Sequence, residues 1–373
     1  MVEYKAPRYY ANEQGAVARA GALIGPVTRR LFIIAGKTAL SVVRDGLFRS
    51  LDEAEIAYAV YEYEGYPVDE EARRIAEKAQ SFGAGAIVGA GGGRIMDITK
   101  AAGDYAALPV VAIPTIAATC ACWAAVSVMY SPDGVMQGPL YNKNAPYLII
   151  ADIDILAKAP PRYVRAGIAD TLAKWYEAYP NLKTSDDFYL RLVVKYGEFA
   201  REILETRGLK VASDLSAGIY HPQEVVEVVD CIFAIAGLCG AVRGLANIQG
   251  VAHPFYNACS VLPELRDKLH GEKVAFGLVM QAALEQREPA EIEHRIAVFS
   301  KLRIPLTLRE LGLSPGFDEK FAVLESIMRE SPVYPGLEKP WTGDELRHAI
   351  ITADKMAEEY QKNNQEAQDA GII

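Results

Sequence analysis

The hydrophobic positions of the chain follow two rhythms, and the change between them falls partway along. Over roughly the first 155 residues, short unbroken apolar runs alternate with stretches of helical period. "RLFIIAG" (30–36), "AIVGAGGG" (86–93), "LPVVAIPT" (108–115) and "PYLIIADID" (146–154) are such runs. Continuous apolar runs predict strands of a parallel sheet buried on both faces, since polar alternation arises only where one face meets water. Between them, "DEEARRIAEKAQSFGA" (69–84) sets Ala72, Ile75, Ala76 and Ala79 at i, i+3, i+4 and i+7, the apolar stripe of a helix. Strands alternating with helices predict an α/β domain that binds its ligand at the carboxyl ends of the strands.

Beyond about residue 160, "ADTLAKWYEA", "SDDFYLRLVVKYGEFAREILE", "PQEVVEVVDCIFAIAGLCGAV" and "GDELRHAIITADKMAEEYQK" are of helical period, with no convincing strand between them. They predict a second, helical domain. The proline pair in "LAKAPPRYVRAG" reads as the linker, giving an α/β domain over 1–158 and a helical domain over 159–373. Two domains also suit 373 residues, more than one ordinary core holds. No internal repeat or low-complexity segment interrupts either part.

Composition narrows the function classes. With 51% hydrophobic and 23% charged residues the chain is globular in character. A net charge of −9 argues against a nucleic-acid partner or an anionic membrane surface, both of which call for basic patches. The apolar stretch "CIFAIAGLCGAV" (231–242) is too short to span a bilayer. "MVEYKAPRYYANEQG" has no basic region followed by an apolar one, so a cytoplasmic location is expected. Five cysteines form no evident disulfide framework, and Cys120-x-Cys122 lacks the second pair of a structural zinc site.

The chemistry-bearing features are few. In "IVGAGGGRIMDITKAAG" (87–103) a strand, a glycine turn and a helix follow one another, an arrangement in which backbone amides and a helix N-terminus hold a pyrophosphate. The spacing Gly89-x-Gly91-Gly92-Gly93 puts Arg94 where the dinucleotide fingerprint has its last glycine, and the loop does not follow the first strand. A tight strand–helix turn is the plainer reading, but four glycines in five positions are more than a turn needs, and pyrophosphate binding is expected. The first strand ends in Gly36 and Lys37 with no acid to bind a ribose 2′-hydroxyl, which favours a 2′-phosphate and hence NADP(H) over NAD(H). His253 and His270 do not fit H-x-x-x-H spacing, and on residue type alone each is more often a hydrogen-bonded structural histidine than a metal ligand. Asp170, just before a helical pattern, reads on its own as an N-cap.

Taken together, "GAGGGRIMDITKA", "PTIAAT", "AGIADTLAKWYEA" and "HGEKVAFG" resemble the metal-dependent (type III, iron-containing) alcohol dehydrogenases, in their glycerol-dehydrogenase-like branch. The resemblance spans nearly the whole chain. It implies a Rossmann-like α/β dinucleotide-binding domain followed by an all-α domain, the fold shared with dehydroquinate synthase. It also implies one divalent metal, zinc or alternatively iron, on Asp170, His253 and His270, which would act in catalysis through that metal. The same resemblance places Gly36, Lys37, Gly91, Gly92, Gly93, Asp97, Thr115 and Tyr130 around the cofactor, and implies a homo-oligomer. Pro254 departs from the pattern, and the helix is expected to begin or kink there. A second departure concerns substrate. Glycerol dehydrogenases carry an aspartate for polyol hydroxyls where this chain has Cys120, followed by Trp123. "TIAATCACW" is closer to hydroxycarboxylate dehydrogenase A, which implies NADPH-linked reduction of 2-oxo acids. Glycerol oxidation with NAD is the alternative.

Overall fold

A computed structural model describes residues 3–243, 249–333 and 340–369. The chain forms two compact units, Met1–Gly167 with Lys210–Gly244, and Ile168–Leu209 with Leu245–Ile373. In place of one cut near residue 158, the chain leaves the first unit, returns to it once and leaves again. Of the proline pair, Pro160 lies outside the helices and Pro161 opens the helix Pro161–Tyr176, where its fixed φ and missing N–H cost nothing.

The first unit contains β1 (Glu3–Tyr4), β2 (Tyr9–Glu13), β3 (Arg30–Ala35), β4 (Ala57–Glu62), β5 (Ala86–Gly91), β6 (Val110–Pro114), β7 (Val126–Tyr130), β8 (Met136–Tyr141), β9 (Leu148–Asp152) and β10 (Val242–Arg243). Six of them form a sheet in the order β2-β9-β6-β5-β3-β4, all parallel. β7 and β8 pair as an antiparallel hairpin, and β1 pairs with β10.

The apolar runs behave as the sequence predicts, because successive residues serve opposite faces. In β3, Leu31, Ile33 and Ala35 join a core with Leu40, Val43 and Leu47 of the Lys37–Glu53 helix. Phe32 and Ile34 join the other face, with Ala72, Ile75 and Ile98. The edge strands β2 ("YYANE") and β4 ("AYAVYE") escape the sequence reading, because their side chains are only half-buried and carry no continuous apolar run. The β2 edge explains why 210–244 belongs to this unit. Asn12 Nδ2 donates to Asp230 Oδ1 at 2.7 Å and to the Val226 carbonyl at 3.2 Å, and the Tyr10 hydroxyl donates to Asp230 at 2.9 Å. The helix Pro222–Asp230 thereby shields an otherwise open sheet edge.

The second unit is helical throughout its described residues, with Phe188–Ile203, Ala252–Cys259, His270–Leu284, Pro289–Lys301, Phe317–Glu330 and Gly343–Asp369 as its main helices. Phe255, Phe276 and Phe299 are fully buried at its centre. Among the described residues no helix is long and apolar enough to cross a membrane.

Candidate active site

The glycine loop follows β5 and leads into the helix Gly93–Ala106. Neighbouring strands β3 and β5 send the chain in opposite directions across the sheet, the position where open α/β sheets bind ligands. Gly36 follows β3, and Ile95 lies 3.9 Å from where a Cβ on Gly36 would stand, so both turns meet over that side chain. Neither the Lys37–Glu53 helix nor the Gly93–Ala106 helix has a side-chain cap on its first amides, which leaves those N–H groups available to an anion.

Packing accounts for most of the glycines. A Cβ on Gly89 would come within 2.5 Å of the Thr99 side chain, on Gly91 within 2.6 Å of Ile95, and on Gly92 within 2.6 Å of Ile116. Gly93 is different. Its nearest neighbours would be Thr119 Oγ1 at 3.7 Å and Ala121 Cβ at 3.8 Å, ordinary contacts. Gly92, Gly93, Ile116, Thr119, Ala121 and Phe233 line a recess here. Thr115, between lining residues Pro114 and Ile116, donates its N–H to the Gly91 carbonyl at 3.1 Å.

Asp97 is 8% exposed, and Lys100 lies 3.1 Å from its carboxylate. Burial raises its pKa, against the pull of Lys100 and of the Val128 amide. Lys100 in turn donates to the Ala124 and Val126 carbonyls. The Asp97–Lys100 pair thereby ties the loop helix to the start of β7. Tyr130 ends β7 and packs on Tyr66 at 5.2 Å, and Arg94 covers the same Tyr66 ring at 4.1 Å. Cys120 opens the short turn Cys120–Cys122, whose Ala121 and Cys122 touch the recess. Trp123 faces the core, packed edge-on against Tyr10 at 5.3 Å and against the bare backbone of Gly237.

In the second unit Asp170, His253 and His270 converge. One ligand atom from each lies within 4.8 Å of the others. His270 Nε2 is 3.0 Å and His253 Nε2 3.7 Å from the same oxygen, Asp170 Oδ1. Asp170 is deep within the Pro161–Tyr176 helix and 3% exposed, so the N-cap reading falls. His270 is the first residue of its helix and meets the Tyr256 ring edge-on at 4.1 Å.

His253 is placed by the start of the Ala252–Cys259 helix, where no local residue caps the free amides. Gln281 Oε1, fully buried, accepts from the Val251 and Ala252 amides at 2.8 and 3.3 Å. Glu177 Oε1 accepts from the His253 amide at 3.0 Å. Pro254 has no N–H to satisfy, so its departure from the family pattern starts the helix without kinking it. The other carboxylate oxygen of Glu177 meets His253 Nδ1. Gly277 lets the helix carrying His270 come close to Ala252, whose Cα would lie 2.9 Å from an added Cβ.

Glu177 escaped the sequence reading. It stands two turns after Asp170 in "ADTLAKWYEA", so its helix spacing was visible, but its approach to His253 depends on tertiary structure.

The electrostatics follow from burial and partners. Burial alone would raise the Asp170 pKa, but His270, Lys174 and the imidazole hydrogen bonds hold it well below the usual range. Burial likewise opposes ionisation of Glu177, and His253 beside it outweighs this and lowers it. Burial would depress His253, yet Glu177 holds it up at about 9, whereas burial leaves His270 below its ordinary value despite Asp170. The donor set fits a divalent ion of zinc or iron type: one carboxylate oxygen and two imidazole nitrogens, with every cysteine elsewhere.

Comparison with known proteins places this arrangement. Residues 7–153 match the family described as iron-containing alcohol dehydrogenase. The glycolaldehyde reductase of Halobacterium salinarum is 31% identical over 359 residues, 95% of this chain and 97% of that protein. The chain belongs to the iron-containing alcohol dehydrogenase family. Within it, hydroxycarboxylate dehydrogenase A of Escherichia coli is 34% identical over 227 residues, covering 60% of this chain and 62% of that one. The crystal structure of glycerol dehydrogenase from Schizosaccharomyces pombe shares the fold, with a TM-score of 0.87 at 22% identity over 97% of this chain and 92% of that chain. As a family member the chain is an oxidoreductase of alcohols or hydroxy acids, in the glycerol-dehydrogenase-like branch.

Proposed function

We propose that the protein interconverts a small 2-hydroxy acid and its 2-oxo acid, with NADP(H) as the hydride carrier and a divalent metal on Asp170, His253 and His270. The observation that carries this is the convergence of buried Asp170 and His253 with partly buried His270 from three separate helices. A divalent ion supplies Lewis-acid polarisation of a carbonyl or alcohol oxygen, and hydride chemistry is the dinucleotide's own.

The chain's residues do the rest. Asp170, His253 and His270 hold the ion, with zinc and iron both suited to the set. The uncapped amides at Gly93 and Arg94 receive the pyrophosphate, and Lys37 meets the 2′-phosphate. Two features favour an anionic substrate. Cys120 stands where a carboxylate would repel one, and the described lining of the nearby recess carries no charged side chain. Lys174, one turn after Asp170 on the same helix, makes the potential more positive at Asp170, Glu177, His253 and His270 alike.

The test is a reduction assay on zinc- or iron-reconstituted protein, following NADPH and NADH separately with 2-oxobutanoate, 2-oxoglutarate and dihydroxyacetone. NADPH-linked turnover of the 2-oxo acids is expected. Faster NADH-linked turnover of dihydroxyacetone would overturn the reading in favour of glycerol oxidation with NAD.

A further inference from the structure

We infer that Glu177 is a positioning residue for this metal centre, selecting which imidazole nitrogen His253 presents to the ion. The inference rests on the metal reading above and deepens it. Glu177 grips His253 twice, through the backbone amide at 3.0 Å and through ring Nδ1. A carboxylate can only accept hydrogen bonds, so it demands the proton on Nδ1 and leaves the Nε2 lone pair for a ligand. Nε2 is the nitrogen that faces Asp170, at 3.7 Å.

Because the two contacts reach backbone and ring together, the imidazole is fixed in both position and tautomer. His270 has its ring set differently, by the edge of Tyr256 and by its place at a helix start.

The plainer explanation is that Glu177 only caps the Ala252–Cys259 helix. Burying a carboxylate at 2% exposure is a costly way to satisfy one amide that a neutral acceptor would serve. Gln281 shows the neutral solution on the preceding amides of that same helix start. It therefore provides the control: a cap that does not touch the ring.

The experiment titrates the metal-free full chain with Zn²⁺ and, for its visible ligand-field spectrum, with Co²⁺, using wild type, Glu177→Gln and Gln281→Leu. In Glu177→Gln the amide cannot accept from both groups. If its oxygen keeps the backbone N–H, its NH₂ donates to Nδ1 and drives the ring proton to Nε2. Zinc affinity is expected to fall about 10–100-fold, with an altered cobalt spectrum, while Gln281→Leu lowers the melting temperature and keeps near-wild-type affinity. Should Glu177→Gln not fold, Glu177→Asp replaces it, since the shorter arm cannot keep both contacts and the same direction of loss is expected.

Wild-type affinity in a folded Glu177 variant would overturn the positioning role and leave the metal site standing. Equal losses in Glu177→Gln and Gln281→Leu would also overturn it, reducing Glu177 to a helix cap. Failure of the wild type to bind either metal would instead overturn the metal reading itself.

Discussion

Asp170 Oδ1 faces both imidazoles, hydrogen-bonded to His270 Nε2 at 3.0 Å and 3.7 Å from His253 Nε2, and burial leaves water little share in the arrangement. Replacing it with asparagine removes the charge while keeping the shape. Asp170→Asn is expected to lose stoichiometric metal by elemental analysis and to lower kcat/KM by about a thousandfold, the scale of a Lewis acid worth several kcal/mol. Lys37 carries the claim about dinucleotide choice. Lys37→Ala should raise the KM for NADPH about tenfold and leave that for NADH nearly unchanged, as loss of one charge-assisted hydrogen bond implies. Equal effects on both cofactors would remove Lys37 from the 2′-phosphate. At this scale the sequence supplied residue types and order. His253 and His270 were open to either reading until the family pattern was applied. Glu177 stayed hidden because no local spacing links it to a histidine far along the chain.

At the scale of elements, the glycine loop separates packing from binding. Gly91→Ala forces a Cβ against Ile95 at 2.6 Å and should destabilise the fold by about 1–3 kcal/mol, measured by denaturant unfolding. Gly93→Ala meets only ordinary contacts, so it should leave stability within about 0.5 kcal/mol while weakening dinucleotide binding measured by fluorescence titration. The opposite pattern would mean that Gly93 serves the turn alone. The buried strands β3, β5, β6 and β9 and the helix Asp69–Phe82 were legible because a two-faced or one-striped element writes its burial directly into the sequence. The edges β2 and β4 were not, since a strand paired on one side and half-exposed lacks that pattern.

For the whole molecule, the change from alternating strands to helices was visible near residue 160, but the return of 210–244 to the first unit was not. That segment is helical in period, and what holds it is the hydrogen bonding of Asp230 to Asn12 and Tyr10, long-range contacts without a local signature. Metal binding should register in global stability, because an ion bound only by the folded chain stabilises it by mass action. At free zinc one hundred times its dissociation constant the gain is about 2.7 kcal/mol, visible as a rise in melting temperature that a chelator reverses. A melting temperature indifferent to zinc and chelator would separate the cluster from metal binding. The most direct test of the central claim is anomalous diffraction from crystals of the zinc-loaded protein. The expected map has one peak bonded to an Asp170 carboxylate oxygen and to Nε2 of both His253 and His270, at about 2.0–2.2 Å. An empty cluster, with zinc bound elsewhere or not at all, would contradict it.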